Sequence, residues 1–189
     1  MAKLFERIDD ALRAFIEAQP MFFVATAPSG GGGHVNLSPK GGANLFHVTG
    51  PHGFAYVDLM GSGIETIAHL RENGRICVML CSFQGPPRIL RLHGHGEYLR
   101  PDHPEFEDLR ALGFHEPEAG EAMRAIIRVN VTRIADSCGY GVPLMSYEGE
   151  RPHSDLSTAK RLRVEGPGAM RQYEQDHNLH SIDGLPALA

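Results

Sequence analysis

The 189-residue chain has no tryptophan, only three cysteines and no long apolar run. Three cysteines cannot build a disulfide framework, and the odd count fits a reducing compartment. The longest purely apolar stretch, Ile76 to Cys81, is far short of the about 20 residues that span a bilayer. The opening residues, MAKLFERIDDALRAFIEAQP, interleave acids with apolar side chains. That pattern is unlike a signal peptide and too acidic for a transit peptide. The expectation is a cytoplasmic protein that does not engage membranes. Excess positive charge is also missing: 18 Lys+Arg against 23 Asp+Glu leave a net charge of −5. A nucleic-acid binder driven by bulk positive charge is thereby excluded. What the chain does have is ordinary for a globular protein, with 42% hydrophobic and 22% charged residues. A chain of this length can hide about 70% of its unfolded surface in one domain, so its core needs no metal or disulfide.

Periodicity organises the chain. Leu4, Phe5, Ile8, Leu12, Phe15 and Ile16 recur at helical spacing and predict one amphipathic helix closed by Pro20. The period then changes to two. Met21–Ala27 and His34–Ser38 read as a hairpin across the flexible turn Ser29–Gly33. Leu45–Thr49 and Phe54–Asp58 read as a second hairpin around the GPHG turn at Gly50–Gly53. Ile64–Asn73 predicts a short helix stopped by Gly74. Arg75–Phe83, apolar on both faces, reads as a central strand, followed by the long strand Arg88–Leu99. A helical insert around His103–Leu112 precedes a last strand, Ala125–Ala135. After about Pro152 the chain is polar and predicts two helical pieces separated by Gly166–Gly168. Hairpins dominate and no βαβ series appears, so the expected fold is mainly β: an antiparallel barrel with small helices. Residues 1–150 form the expected barrel domain with its N-terminal helix, and 151–189 a helical extension packed on it.

Two segments carry chemistry. In Asp58-Leu59-Met60-Gly61-Ser62-Gly63-Ile64-Glu65-Thr66 a strand ends, two glycines permit close backbone approach, and a helix begins. Free N–H groups at that helix start suit a phosphate. Ser62-x-x-Glu65 equally has the form of a capping box, which would satisfy the same groups internally. The residues leave both readings open. In Ser38-Pro39-Lys40-Gly41-Gly42 a hydroxyl and an ammonium share one side of a strand end, and lysine serves phosphate as a point charge.

Other groupings carry less. His93, His95 and Glu97 share one face of a strand; a facial iron site needs such residues, but a solvated or interface face is the expected role, with no metal. Cys77 and Cys81 face one side of a buried strand and read as core thiols rather than zinc ligands. The remaining histidines, His115 among them, form no Ser-His-Asp constellation.

Taken together, Asn36-Leu37-Ser38-Pro39-Lys40-Gly41, then GFAYVDLMGSGIETIAHLRENGRICVML, then Arg88 to Gly94 resemble the pyridoxamine phosphate oxidase-like FMN-binding family. The resemblance runs from about Met21 to Leu99. CGYGVP at Cys138–Pro143 and SIDGLPAL at Ser181–Leu188 are similar to one branch of it. It implies a split β-barrel homodimer with one FMN in each of two interfacial clefts. On that resemblance Asn36, Leu37, Ser38, Pro39 and Lys40 line the flavin, and Val57 and Asp58 lie beside its ribityl chain. Gly61, Ser62 and Thr66 mark the helix start used for the phosphate, and Arg88 and Arg91 sit on a strand approaching from another side. The oxidase carries an Arg-Lys pair after the helix-start serine where this chain has Gly63-Ile64. Phosphate charge must then come from Lys40, Arg88, Arg91 or backbone N–H groups. The oxidase's substrate-holding Trp is absent, and Arg151-Pro152-His153 has the letters of its Arg-x-His element in the wrong context. The expected function is therefore an FMN-dependent oxidoreductase acting on a small molecule other than the oxidase's own substrate. A non-catalytic flavin or haem carrier or sensor is the alternative. A deazaflavin in the same cleft gains no support from the net charge of −5.

Overall fold

The computed structural model describes residues 3–114 and 122–189 of the chain, so His115 lies outside the described residues. Eight strands form one antiparallel sheet. They are β1 (Lys3–Phe5), β2 (Met21–Thr26), β3 (Asn36–Gly41), β4 (Phe46–Gly50), β5 (Gly53–Leu59), β6 (Arg75–Cys81), β7 (Ile89–Leu99) and β8 (Met123–Ser137). The hydrogen-bonded order is β3-β2-β6-β7-β8-β5-β4, with β1 paired to the far half of β8. Strands β3 and β4 end this order and do not pair with each other. The sheet is antiparallel and carries a few small helices, as the hairpin pattern predicts, and it forms the split β-barrel that the family resemblance implies.

The N-terminal expectation needs correction. Leu4 and Phe5 are not helical: they pair with Ala135 and Ile134 as part of β1. Helix α1 (Asp10–Glu17) starts only after Asp9, whose carboxylate accepts the Leu12 N–H at 2.8 Å. That cap fixes where helical geometry can begin, whatever the apolar spacing upstream.

Inward-facing residues of β2, β5, β6 and β7 pack with Leu12 and Ile16 of α1 and Ile67 and Ala68 of α2 (Glu65–Asn73) in the main core. Phe22 lies at its centre, with edge-on contacts to Phe46, Phe54 and Tyr56 at 5.0–5.4 Å. A second cluster, including Ala55, Val57, Ile126 and Phe106 of α3 (Phe106–Arg110), covers the other face of β5 and β8. Strand β5 is therefore buried on both sides. Gly74 closes α2 at φ 69°, where a left-handed residue returns the chain into β6.

The last strand is longer than its alternation suggests. Between His93 and Gly94 the β7–β8 register slips, so that Thr132 has no opposite number. A side chain at Gly94 would sit 2.1 Å from the Asn130 carbonyl, so the close approach at this bulge requires glycine. Downstream, α4 (His153–Glu165) and α5 (Ala169–His177) lie on either side of the Gly166–Gly168 break.

Candidate functional site

Alternation along β3 divides the predicted site residues into two groups. Asn36, Ser38 and Lys40 are half-buried, whereas Leu37 and Pro39 are exposed. Asn36, Ser38 and Lys40 stand opposite Thr26, Val24 and Phe22, all buried, and so face the barrel interior. Leu37 and Pro39 face outward. Pro39 continues through Phe23 and Met79 to Arg91 in one cross-strand row, so Arg91 also faces outward. There its guanidinium donates to Ser137 Oγ at 3.2 Å. Arg88 is elsewhere again: it pairs with Asp136 at 3.1 Å and lies over the Phe15 ring at 4.7 Å. One chain does not bring Arg88 or Arg91 to the helix start.

The two motif segments do meet. Asn36 Nδ2 donates to Thr66 Oγ1 at 3.0 Å and to Thr26 Oγ1 at 3.2 Å, while Ser38 Oγ donates to Asn36 Oδ1 at 2.8 Å. Thr26 Oγ1 also lies 2.9 Å from Nδ1 of His69, a fully buried residue on α2. Burial holds the His69 imidazole below its usual range, against the opposing pull of Asp183, Glu65 and Glu72. A polar thread thus runs from the β3 edge through α2.

A second bridge crosses the same opening. Lys40 Nζ donates to Asp58 Oδ1 at 3.0 Å, and Asp58 Oδ2 accepts from Arg124 Nε at 2.8 Å. Asp58 is 1% exposed, so it acts on a cleft ligand only through Lys40, whose side chain is 24% exposed. Burial alone would push the Asp58 carboxyl up; Lys40 and Arg124 together outweigh it and hold the group below the usual carboxylate range. Arg124 and Asn178 are the residues that sequence reasoning missed. Arg124 donates to the Gly63 carbonyl at 3.0 Å and to Asn178 Oδ1 at 3.0 Å. Asn178 Nδ2 in turn donates to the Gly61 carbonyl at 2.9 Å. The Gly61–Gly63 turn is thereby held from beneath by buried polar groups.

The helix start itself overturns the capping-box reading. The residue at the cap position is Ile64, no side chain caps α2, and Ser62 is exposed. Glu65 Oε2 accepts only the Ile64 N–H, at 3.1 Å, and Glu65 Oε1 accepts the Ile182 N–H at 3.3 Å. Glu65 is thus turned toward the C-terminal segment. The N–H groups of the first turn keep their capacity for an anion.

The largest cleft among the described cavities, about 770 Å³, holds none of the predicted residues. It opens at Gly42, two residues beyond Lys40, and is lined by Phe46, His47, Met145 and Tyr147 among others. Among the described residues no three of His, Cys, Asp and Glu gather as a metal set. Glu97 instead accepts from Arg128 at 2.8 Å. Cys77 is half-buried and Cys81 buried, and burial pushes both thiols up, with Arg91 opposing. Cys138 is exposed.

An antiparallel sheet open between β3 and β4, with polar side chains across the opening, defines the split β-barrel class. Residues 8–138 match the pyridoxamine 5′-phosphate oxidase family, and the chain belongs to it. A pyridoxamine 5′-phosphate oxidase family protein of Aspergillus flavus, ustO, is 38% identical over 201 residues, covering 100% of this chain and 78% of that protein. A conserved protein of unknown function from Corynebacterium diphtheriae shares the fold at a TM-score of 0.50 and 10% identity, over 71% of this chain and 95% of its own. A protein from Mesorhizobium loti described as FAD-binding is similar at a TM-score of 0.48 and 12% identity, over 72% of this chain and 96% of its own. No helix among the described residues is long and apolar enough to cross a membrane.

Proposed function

We propose that this protein is an FMN-binding oxidoreductase that works as a homodimer in the cytoplasm on a small-molecule substrate. The observation that carries the reading is the Asn36–Thr66 hydrogen bond of 3.0 Å, which joins the two predicted segments beside a helix start with no side-chain cap. Those residues fit a phosphorylated, polyol-bearing cofactor. Exposed Ser62 and the first N–H groups of α2 offer donors to its phosphate, and Thr66 stands in the next layer with a hydroxyl proton left to donate. Lys40, oriented by Asp58, sets one partly exposed positive charge at the cleft. Bound flavin would supply the hydride and electron chemistry; the side chains supply binding, orientation and charge. The 770 Å³ cleft that opens at Gly42 is where the substrate is placed in this reading.

The dimer rests on the outward face. Leu37, Phe23, Met79 and Arg91 leave there a partly exposed strip that mixes apolar groups with one guanidinium. A two-fold partner on this face would carry Arg91 toward the other subunit's cleft, which is how one chain's outward arginine can serve a flavin. The test is the absorbance of the protein as isolated, followed by identification of the released chromophore. Flavin bands with FMN released are expected; a Soret band, or a protein that stays colourless and binds no added FMN, overturns the reading. Turnover with a nicotinamide donor then separates an enzyme from a carrier.

A further inference from the structure

The cleft of about 770 Å³ that opens at Gly42 has apolar and aromatic walls, from Met21, Phe46, Phe83, Met145 and Tyr147. Its charged groups are of one sign. Glu17 and Glu150 line it, and among the described residues no lysine or arginine does. The wall that carries Tyr147 and Glu150 is anchored. The Met145 N–H donates to the Phe83 carbonyl at 2.9 Å, and Tyr147 Oη donates to Glu150 Oε1 at 2.6 Å. A phenol brings no positive charge, so this bond leaves the charge of Glu150 uncancelled.

Glu17 is placed against the local rule for helices. It is the last residue of α1, whose last turn has no basic residue, and residues 17–20 bring that end of the helix to the cleft. A helix C-terminus carries partial negative charge, so a carboxylate there is unfavourable unless a cation offsets it. Arg13, one turn back, does so only in part. Its Nη1 stands 3.4 Å from Glu17 Oε1 but donates to the Val48 carbonyl at 2.6 Å, and both side chains of the pair are 41% exposed. Lys40, two residues before Gly42, is already paired with Asp58. His47, the histidine of the lining, packs against the Phe114 ring at 4.8 Å with its Nε2 buried, so that nitrogen offers no donor to the cleft. Two carboxylates and a helix C-terminus beside aromatic rings attract a cation and repel an anion.

We propose that this cleft selects organic cations: molecules with an apolar or aromatic body and a protonated amine, in preference to phosphorylated or carboxylated ones. The amine is drawn to Glu17 and Glu150, and the body lies against Phe46, Phe83 and the methionines. The proposal rests on the reading that places the substrate in this cleft, but not on which cofactor the protein holds.

The chain has no tryptophan, so the indole fluorescence of a small probe can be followed without an indole background from the protein. Three probes share that ring and differ in charge at pH 7: tryptamine is a cation, tryptophol is neutral and indole-3-propionate is an anion. Polarisation titrations of the full-length protein should show saturable binding of tryptamine, about fivefold tighter than that of tryptophol, with indole-3-propionate weakest. The preference should shrink between about 0.05 M and about 0.5 M salt as the screening length falls. The double variant Glu17→Gln, Glu150→Gln changes two exposed groups. It should leave tryptophol affinity unchanged and bring tryptamine down to the same level. Absence of saturable tryptamine binding, equal binding of the three probes, or a tryptamine preference that survives in the double variant overturns the proposal. Absorbance of the same samples reads flavin separately. A colourless protein that binds no added FMN and keeps the preference loses the flavin reading and retains this one; a flavin-bearing protein without the preference does the reverse.

Discussion

Arg124 Nη2 lies 2.7 Å from Asp58 Oδ2, and both side chains are at most 3% exposed. A buried ion pair is costly to break because removing one partner leaves the other charge uncompensated. Here the surviving charge would be Arg124, with its remaining donors tied to Gly61, Gly63 and Asn178.

The first prediction concerns this pair. Asp58→Asn should destabilise the fold by about 3–5 kcal/mol at pH 7. Because Lys40 and Arg124 hold the Asp58 carboxyl below its usual range, the stabilisation is complete above the unfolded pKa of about 3.9 and is lost as pH falls through the folded value. The gap between wild type and variant should therefore be widest near neutrality and shrink below about pH 4. Chemical denaturation at pH 7 and at pH 3 checks this. A gap that stays constant would mean the carboxylate charge contributes nothing.

The second prediction concerns the two bridges across the barrel opening. Lys40→Ala and Thr66→Val should each weaken FMN binding by about 1–3 kcal/mol, the range for losing a charge-assisted or buried hydrogen bond. Thr66→Val also leaves Asn36 Nδ2 with Thr26 as its remaining partner. A stability loss of about 1 kcal/mol should accompany it. Fluorescence titration with FMN reads the affinity, and melting curves read the stability. Flavin affinity unchanged in both variants would remove Lys40 and Thr66 from the site.

How much of the fold and the site is legible in the sequence differs from residue to residue. The hairpins, the stop at Gly74 and the break at Gly166–Gly168 follow from local chemistry, although the first hairpin's return strand runs Asn36–Gly41 rather than His34–Ser38. Leu4 and Phe5 mislead because apolar spacing is shared by a helix and by a three-residue strand, and only the Asp9 cap decides between them. Ser62 misleads similarly. Its spacing from Glu65 fits a capping box, but Ile64 takes the cap position and Glu65 reaches the Ile182 N–H, a contact 117 residues away in sequence. Reading the last strand from Ala125 leaves out Arg124. The signal that points to it is Asp58, an acid in an otherwise apolar strand, which requires a buried cation somewhere. Which cation answers it depends on the β5–β8 register, where Asp58 pairs with Ala125. No local pattern encodes that pairing.

The third prediction concerns assembly. An isologous dimer on the outward face, with an interface of roughly 2,000 Å² or more, should give twice the 20.7 kDa chain mass in light scattering. Phe23 pairs in register with Met79 on that face, and both are partly exposed. Phe23→Glu should therefore yield a folded monomer with weakened flavin binding. A wild-type monomer that binds flavin fully would contradict both the dimer and the role given to Arg91.

The fourth prediction is negligible oxidation of pyridoxamine phosphate. That substrate carries its own phosphate dianion, so a site specific for it needs cationic donors beyond those that hold the cofactor. The chain has no tryptophan. Lys40, the cation that reaches the barrel opening from β3, is already paired with Asp58. Arg88 is held by Asp136 and the Phe15 ring, and Arg91 donates to Ser137 on the outer face. Arg151 is exposed, before α4, and Pro152 and His153 begin that helix rather than line the 770 Å³ cleft. Absence of a paired charge contact removes on the order of 2–5 kcal/mol, or about 1.5 to 3.5 decades of affinity. The measurement is a coupled assay for pyridoxal phosphate using FMN-saturated protein with oxygen present. Turnover of about 1 per second or faster would show that this chain holds the substrate's phosphate with residues other than those its relatives' motif supplies.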